Sequence, residues 1–246
     1  MKQRCSQIIA WDHLLAGFLV WMSLLVVGCA SQQSSSSSPS TSTATFKPLT
    51  KQPDTSALLG PMVESIPFAV TDGKFKGKQW TYSHRKGASD KEHLMIFVDQ
   101  HRSVLNVNDD GRVLLSTEDD YGQQVKVVYD PPLEVIPADM LNHEPKAITS
   151  SMTVYNLDGQ SQRDKGACQV SVQILGKQTI TTPAGTFEAI MFKTTRQLKL
   201  ALASGTVTIY DAYAPKKGLV SHRVEQKLIT MGFIPLNSVL EVQRSQ

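Results

Sequence analysis

Cysteine is scarce in this chain, with three in 246 residues, at positions 5, 29 and 168. The frameworks that staple small exported domains need cysteines in pairs inside the folded region. Cys5 and Cys29 both fall in the N-terminal segment described below, so Cys168 stands alone and the domain must be held by its core. An excess of one charge is also missing: 25 Lys and Arg face 22 Asp and Glu. No basic run rises above a solvated face, which argues against a nucleic-acid partner. Long hydrophobic runs are nearly absent. The single one, residues 14–27 (LLAGFLVWMSLLVV), spans about 21 Å as a helix, short of a ~30 Å hydrocarbon core. The sequence lacks a Gly-x-Ser-x-Gly elbow, a phosphate loop and a dinucleotide fingerprint. No i, i+2 histidine pair would seat a metal on one strand. No catalytic residue, metal or cofactor is therefore expected, apart from the lipid considered next.

The apolar run follows a mildly basic start with Lys2 and Arg4, and Gly28 supplies a small residue before a cut. These are the parts of a secretory signal peptide over residues 1–28. Val26-Val27-Gly28-Cys29 resembles the lipobox of bacterial lipoproteins. The resemblance implies cleavage after Gly28, a thioether-linked diacylglycerol on Cys29, and acylation of the new amine by a fatty acid such as palmitate. Because Ala30 and Ser31 follow the cysteine rather than Asp, it further implies an outer-membrane address with the domain facing the periplasm. Several acyl chains, at ~0.8 kcal/mol per buried methylene, make a lasting anchor where one does not.

Residues 29–60 read as a tether. Residues 31–45 (SQQSSSSSPSTSTAT) carry neither charge nor large apolar side chains, so nothing offsets the entropy of ordering them. Fifteen such residues reach roughly 20–23 Å r.m.s.. Residues 46–60, with Pro48 and Pro53, look like a docking arm in which Asp54 caps a short helix over residues 55–59.

Residues 61–246 suffice for one domain with a real core. Apolar residues alternate nearly throughout: Trp80, Tyr82 and His84; Val125, Val127 and Tyr129; Cys168, Val170, Val172 and Ile174. Residues 94–98 (LMIFV) suit a strand covered on both faces. Asn108-Asp109-Asp110-Gly111, Asp158-Gly159 and Ser204-Gly205 are hairpin turns, and Asp130-Pro131-Pro132 is a strand stop. Residues 137–142 suit a single helical turn with Pro137 at its start. About eleven strands result, giving an all-β fold: one antiparallel meander curled into a half-barrel, barrel or sandwich, with one or two short helical turns. Thr182-Pro183-Ala184-Gly185-Thr186-Phe187, then Tyr213-Ala214-Pro215 and Gly218-Leu219-Val220, resembles a pattern in uncharacterised exported bacterial β-proteins. That resemblance implies a curved antiparallel sheet, broadly similar to the Lol lipoprotein carriers, and brings no activity with it.

Four site patterns are outweighed by plainer readings. Residues 106–111 (NVNDDG) imitate a calcium loop, but position twelve is Thr117 instead of Glu. Ser83-His84-Arg85-Lys86 spells Ser-x-x-Lys, on a strand rather than a helix start. Cys168, with His84, His93, His101, His143 and His222 as possible bases, lies on an apolar face that predicts an inert thiol. Lys74, Lys76 and Lys78 alternate in a Gly-punctuated loop that could brush anionic head groups. The function expected is that of a lipid-anchored protein whose β-domain binds an envelope protein or other envelope component, without catalysis. The alternative is a carrier holding a lipid on a concave apolar face lined by Trp80, Tyr82, Leu94, Ile96 and Val98. An envelope hydrolase is a third, more remote class.

Overall fold

The computed structural model describes residues 46–246. The expected lipidation at Cys29, the cleavage after Gly28 and the serine-rich tether lie outside the described residues. Twelve strands run up and down and close into one barrel, in the order β1-β12-β11-β10-β9-β8-β7-β6-β5-β4-β3-β2. They are β1 (Val63–Gly73), β2 (Gln79–Lys86), β3 (Glu92–Phe97), β4 (His101–Val107), β5 (Val113–Asp120), β6 (Val125–Ile136), β7 (Ile148–Asn156), β8 (Gln162–Thr182), β9 (Gly185–Leu200), β10 (Ala203–Ala214), β11 (Gly218–Thr230) and β12 (Ile234–Arg244). Of the three sheet forms expected, the barrel is the one formed. Full closure pairs the first strand with the last, Val70 with Val242 and Phe68 with Arg244, and so removes both sheet edges.

Alternation decides which face points in. Phe192, Val172 and Val170 are buried, while Gln169, Gln173 and Lys193 lie at intervening positions of β8 and β9. Apolar residues inside and polar residues outside reverse the pattern a lipid-spanning barrel needs. The interior is one continuous cluster, from Leu58 and Leu59 through Phe68, Leu115, Leu133 and Phe192 to Val242.

Several elements differ from the sequence expectation. β6 runs through Pro131 and Pro132, because the β5 pairing jumps from Leu115–Leu133 to Thr117–Val128. The β7 pairing ends at Asp130. The two prolines thus sit where no ladder asks for an N–H. The β9–β10 turn falls at Ala201 and Leu202 rather than at Ser204-Gly205, since the Asp164 carboxylate accepts from both amides (3.1 and 3.0 Å). Gly205 lies within β10, where a Cβ would come 2.2 Å from the Lys227 carbonyl oxygen. Residues 137–142 form bends rather than a helical turn. There the Gln52 side chain accepts from Met140 N, and Asp139 accepts from Leu141 N and Asn142 N, so the amides are satisfied without helical bonds.

The expected cap is present. Asp54 accepts from Ser56 N at 3.0 Å and starts α1 (Thr55–Leu59). The arm that carries α1 seals one end of the barrel. Lys47 exchanges two backbone bonds with Lys177, Lys216 N donates to Ala57 O (2.6 Å), and Thr55 Oγ1 donates to Gly111 O (2.8 Å). Leu58 and Leu59 are buried as the plug. Gly60, at φ 72°, passes so close to the β10–β11 turn that a Cβ would lie 2.5 Å from Gly218 N.

Candidate functional site

The arm closes the end formed by the β4–β5, β6–β7 and β10–β11 turns. At that end the two histidines that follow from the alternation meet. His84 Nε2 lies 2.9 Å from His93 Nδ1, and His84 Nδ1 lies 3.2 Å from the Pro61 carbonyl. A carbonyl only accepts, so His84 carries its proton on Nδ1 and His93 donates to His84 Nε2. Burial, then the neighbouring His93, pushes His84 below its ordinary value, against the upward pull of the Pro61 bond. Burial pushes His93 down as well. Both rings are thereby held neutral, and the pair clasps the arm to β2.

Halfway up the interior a second pair forms directly across β10 and β11. His222 Nδ1 lies 2.6 Å from Asp211 Oδ1. The dyad orients an imidazole, and what packs against that ring is Phe97, at 5.9 Å between centroids. Phe97 comes from β3, four strands from β11 by way of β12, β1 and β2, so side chains of non-adjacent strands touch here. Tyr82 and Tyr213 are pushed upward by burial first and by the Asp211 carboxylate second.

Nearer the unsealed end a third cluster bridges β9 to β5 and β6. Arg196 Nη1 donates to Glu118 Oε2 at 2.8 Å, and Tyr129 Oη donates to the same oxygen at 2.7 Å. His101 Nε2 stands 3.6 Å from Glu118 Oε1. Burial opposes ionisation of Glu118, yet Arg196, His101 and Tyr129 together outweigh it and hold the carboxyl well below its usual range. The guanidinium is also 5.9 Å above the Tyr129 ring, and its own value is raised because Glu118 and Tyr129 outweigh burial.

The face proposed for an apolar ligand is divided by the register. Tyr82 pairs with Phe97, whereas Ser83 pairs with Ile96 and Arg85 with Leu94. Trp80 and Tyr82 therefore point inward, among Phe68, Phe75 and Phe97, and Leu94 and Ile96 point to the other face. Val98 is exposed beyond the end of β3. The inward pair packs against the aromatic rings of Phe68, Phe75 and Phe97.

The remaining candidates are spoken for locally. In the calcium-like loop Asp109 pairs with Lys91 (2.7 Å) and Asp110 with Arg112. Asn106 donates to Ser116. An open groove of about 620 Å³ runs between this turn and the arm, but its Asp54 and Asp139 carboxylates already accept from their own turns. Ser83 is buried and Lys86 pairs with Asp90. Cys168 is fully buried, and burial pushes its thiol up to about 11. His143 bonds the Val172 carbonyl. No group of three His, Cys, Asp or Glu side chains among the described residues is arranged to hold a metal.

At the unsealed end, two hairpins carry apolar side chains into solvent: Leu202, Ile229, Met231, Phe233 and Leu236 are all exposed, Phe233 by 76 %. The β9–β10 and β11–β12 turns are joined there by Met231 N donating to Leu202 O (2.8 Å). Leu198 and Leu200 of β9 pack against the core, but Leu202 lies beyond it.

No protein-family model matches the sequence, and no curated protein matches it. Among solved structures, the chain is similar to a protein assigned as a lipoprotein in Parabacteroides distasonis (TM-score 0.37, 14 % identity, 76 % of this chain and 98 % of that one). It is also similar to an exported protein with a YmcC-like fold from Bacteroides fragilis (0.39, 15 %, 77 % and 99 %). A third is the hypothetical lipoprotein YmcC from Escherichia coli (0.36, 10 %, 78 % and 90 %). At such scores these likenesses carry no argument about what this chain does.

Proposed function

We propose that this chain is a lipid-anchored protein of the bacterial envelope, and that its barrel is a binding module used from the outside. The lipobox at Val26-Val27-Gly28-Cys29 supports the anchor and, through the residues after it, an outer-membrane address. The observation that carries the binding reading is the asymmetry of the two ends. One is sealed by the arm, while the other ends in five exposed apolar side chains on two joined hairpins. Side chains of strands four apart meet inside, so binding is assigned to the hairpin end and not to the lumen.

The test has two parts. Radiolabelled palmitate should enter the wild-type chain in cells and be absent from Cys29→Ser. A photo-crosslinking residue at position 233 should give envelope adducts that the same residue at Gln169, on the polar wall, does not give. Palmitate in the serine variant, or identical adducts from both positions, would refute the proposal.

A further inference from the structure

Resting on that reading of the hairpin end, the geometry points to its partner: we infer that the end docks on the anionic surface of the bilayer that holds the anchor.

The first ground is the patch itself. Leu202, Ile229, Met231, Phe233 and Leu236 are exposed by 52, 46, 40, 76 and 44 %. At about 200 Å² for a large apolar side chain the five expose about 500 Å² in all, spread over the turn tips and over both faces of the β11–β12 hairpin, Leu236 on the inward face and Ile229 on the outward one. The patch is made of turn tips rather than a groove. Phe233 follows Met231 and Gly232, both at positive φ, which turns the chain sharply and thrusts the ring outward. A protruding aromatic ring with flanking aliphatic tips suits insertion at a headgroup boundary, and it offers no pocket for a partner's anchor residue.

The second ground is charge. Lys199 and Lys227 lie on the strands leading to the two tips and are exposed. Lys74, Lys76 and Lys78 occupy the β1–β2 turn at the same end of the barrel, set back from the tips along β12 because β1 leaves it at Gly73–Leu240. None of these five has a carboxylate within 4.0 Å among the described residues. The nearest acidic side chain at the tips, Asp164, is committed to the amides of Ala201 and Leu202. Apolar tips with lysines set behind them that have no carboxylate partner, Lys74 and Lys78 resting over the Phe75 ring, are complementary to anionic lipid.

The third ground is reach. Seventeen peptide steps separate Cys29 from Phe46 and extend to roughly 56–61 Å at most. The arm meets β8 at Lys177, opposite Ile190 of β9. From Ile190 to Leu202 the strand runs roughly 40 Å. The segment after the anchor is long enough for the far end of the barrel to reach the same membrane.

The experiment uses the chain from Ala30 without its lipid, since the whole buried core lies between Leu58 and Val242. Vesicles of phosphatidylethanolamine with one quarter phosphatidylglycerol are compared with vesicles of phosphatidylcholine alone, by cosedimentation. Binding to the anionic vesicles is expected, weakening at least tenfold in Phe233→Ser/Leu202→Ser and severalfold in Lys74→Gln/Lys76→Gln/Lys78→Gln or in high salt. Unchanged melting temperatures keep these results from being misfolding. Absence of binding, equal binding to neutral vesicles, or full binding by the Phe233→Ser/Leu202→Ser protein would overturn the inference. The crosslink at position 233 separates the two claims. A protein adduct alone overturns the lipid inference and leaves the binding module standing, whereas no adduct of any kind removes both.

Discussion

Replacing Arg196 by Met tests the idea that the barrel is braced by a buried ion pair. Arg196 and Glu118 are nearly enclosed, with side-chain exposures of 9 and 14 %, and among the described residues no other guanidinium or ammonium lies within 4.0 Å of Glu118. Arg196→Met leaves a buried carboxylate with only Tyr129 and His101, so a cost of about 3–5 kcal/mol is expected. For a domain of this size that is a fall of about 10 °C in melting temperature. Glu118→Gln/Arg196→Met removes both charges and should recover most of the loss. The pH dependence supplies a sharper sign. In the wild type Glu118 is held below its ordinary value near 4.5, so its contribution is present above that value and is lost as pH falls below it. In Arg196→Met, burial acts with less opposition and raises the carboxyl, so protonation relieves the penalty as pH falls. The stability gap between the two proteins should therefore narrow between pH 7 and pH 4. Thermal melts followed by circular dichroism and by Trp80 fluorescence measure it. A cost under about 1 kcal/mol, additivity of the two substitutions, or a gap independent of pH would show that the pair does not brace the barrel.

Three further outcomes follow from other parts of the structure. His84 and His93 are both held below their ordinary value near 6.5, so the His84–His93 bond, in which His84 Nε2 must accept, is intact above about pH 6.5 and is lost as pH falls through the lowered values, although His84 Nδ1 can still donate to Pro61. The protection factors of the Leu58 and Gly60 amides, which bond within α1, should fall on acidification in the wild type once exchange is corrected for its intrinsic pH dependence, and pH-independent protection would refute the clasp. Gly218→Ala places a Cβ 2.7 Å from the Leu59 carbonyl oxygen at φ 79° and should cost about 2–3 kcal/mol. Gly77→Ala, at φ 88° with nothing within 4 Å, should cost about 1 kcal/mol, since only the backbone conformation resists it; equal losses in chemical denaturation would contradict the sealing contact. Cys168, buried and pushed up to about 11, should resist a thiol reagent at pH 8 while the denatured chain reacts fully.

The barrel walls were legible because alternation is a local signal: Cys168, Val170 and Val172 face inward as read. β1 was not, since Pro67 interrupts an otherwise regular Ile66, Phe68, Val70 stripe. Its ladder with β2 tolerates the proline opposite Thr81. The interior clusters left only a faint trace, namely charged residues at inward positions, Arg196 among Thr194 and Leu198 and Asp211 among Ile209 and Tyr213. Their partners could not be named, because Arg196 and Glu118 lie 78 residues apart and meet only once the sheet closes. The exposure of the tips left no trace for a related reason. Residues 229–236 are apolar whether or not the sheet continues beside them, and their exposure depends on β11 and β12 outrunning β1. Gly73, for example, is the last residue of β1 to pair with β12, opposite Leu240.

This inequality of strand length links fold to function. In a barrel whose strands all ended together, each inward apolar residue would find a partner across the lumen. Here Leu236 sits at an inward position of β12 yet is 44 % exposed, because β1 has already turned away at Gly73. The interior below is bridged by Phe97 against His222 and by Arg196 against Glu118, so extending β11 and β12 adds nothing to the core. It adds exposed apolar surface, which is costly to solubility unless something covers it. The opposite end shows what covering looks like in this molecule, where Leu58 and Leu59 are brought in on an arm held by His84, Thr55 and Lys216. No described segment does the same for Phe233. On the docking reading proposed above, the bilayer surface does for Phe233 what the arm does for the sealed end.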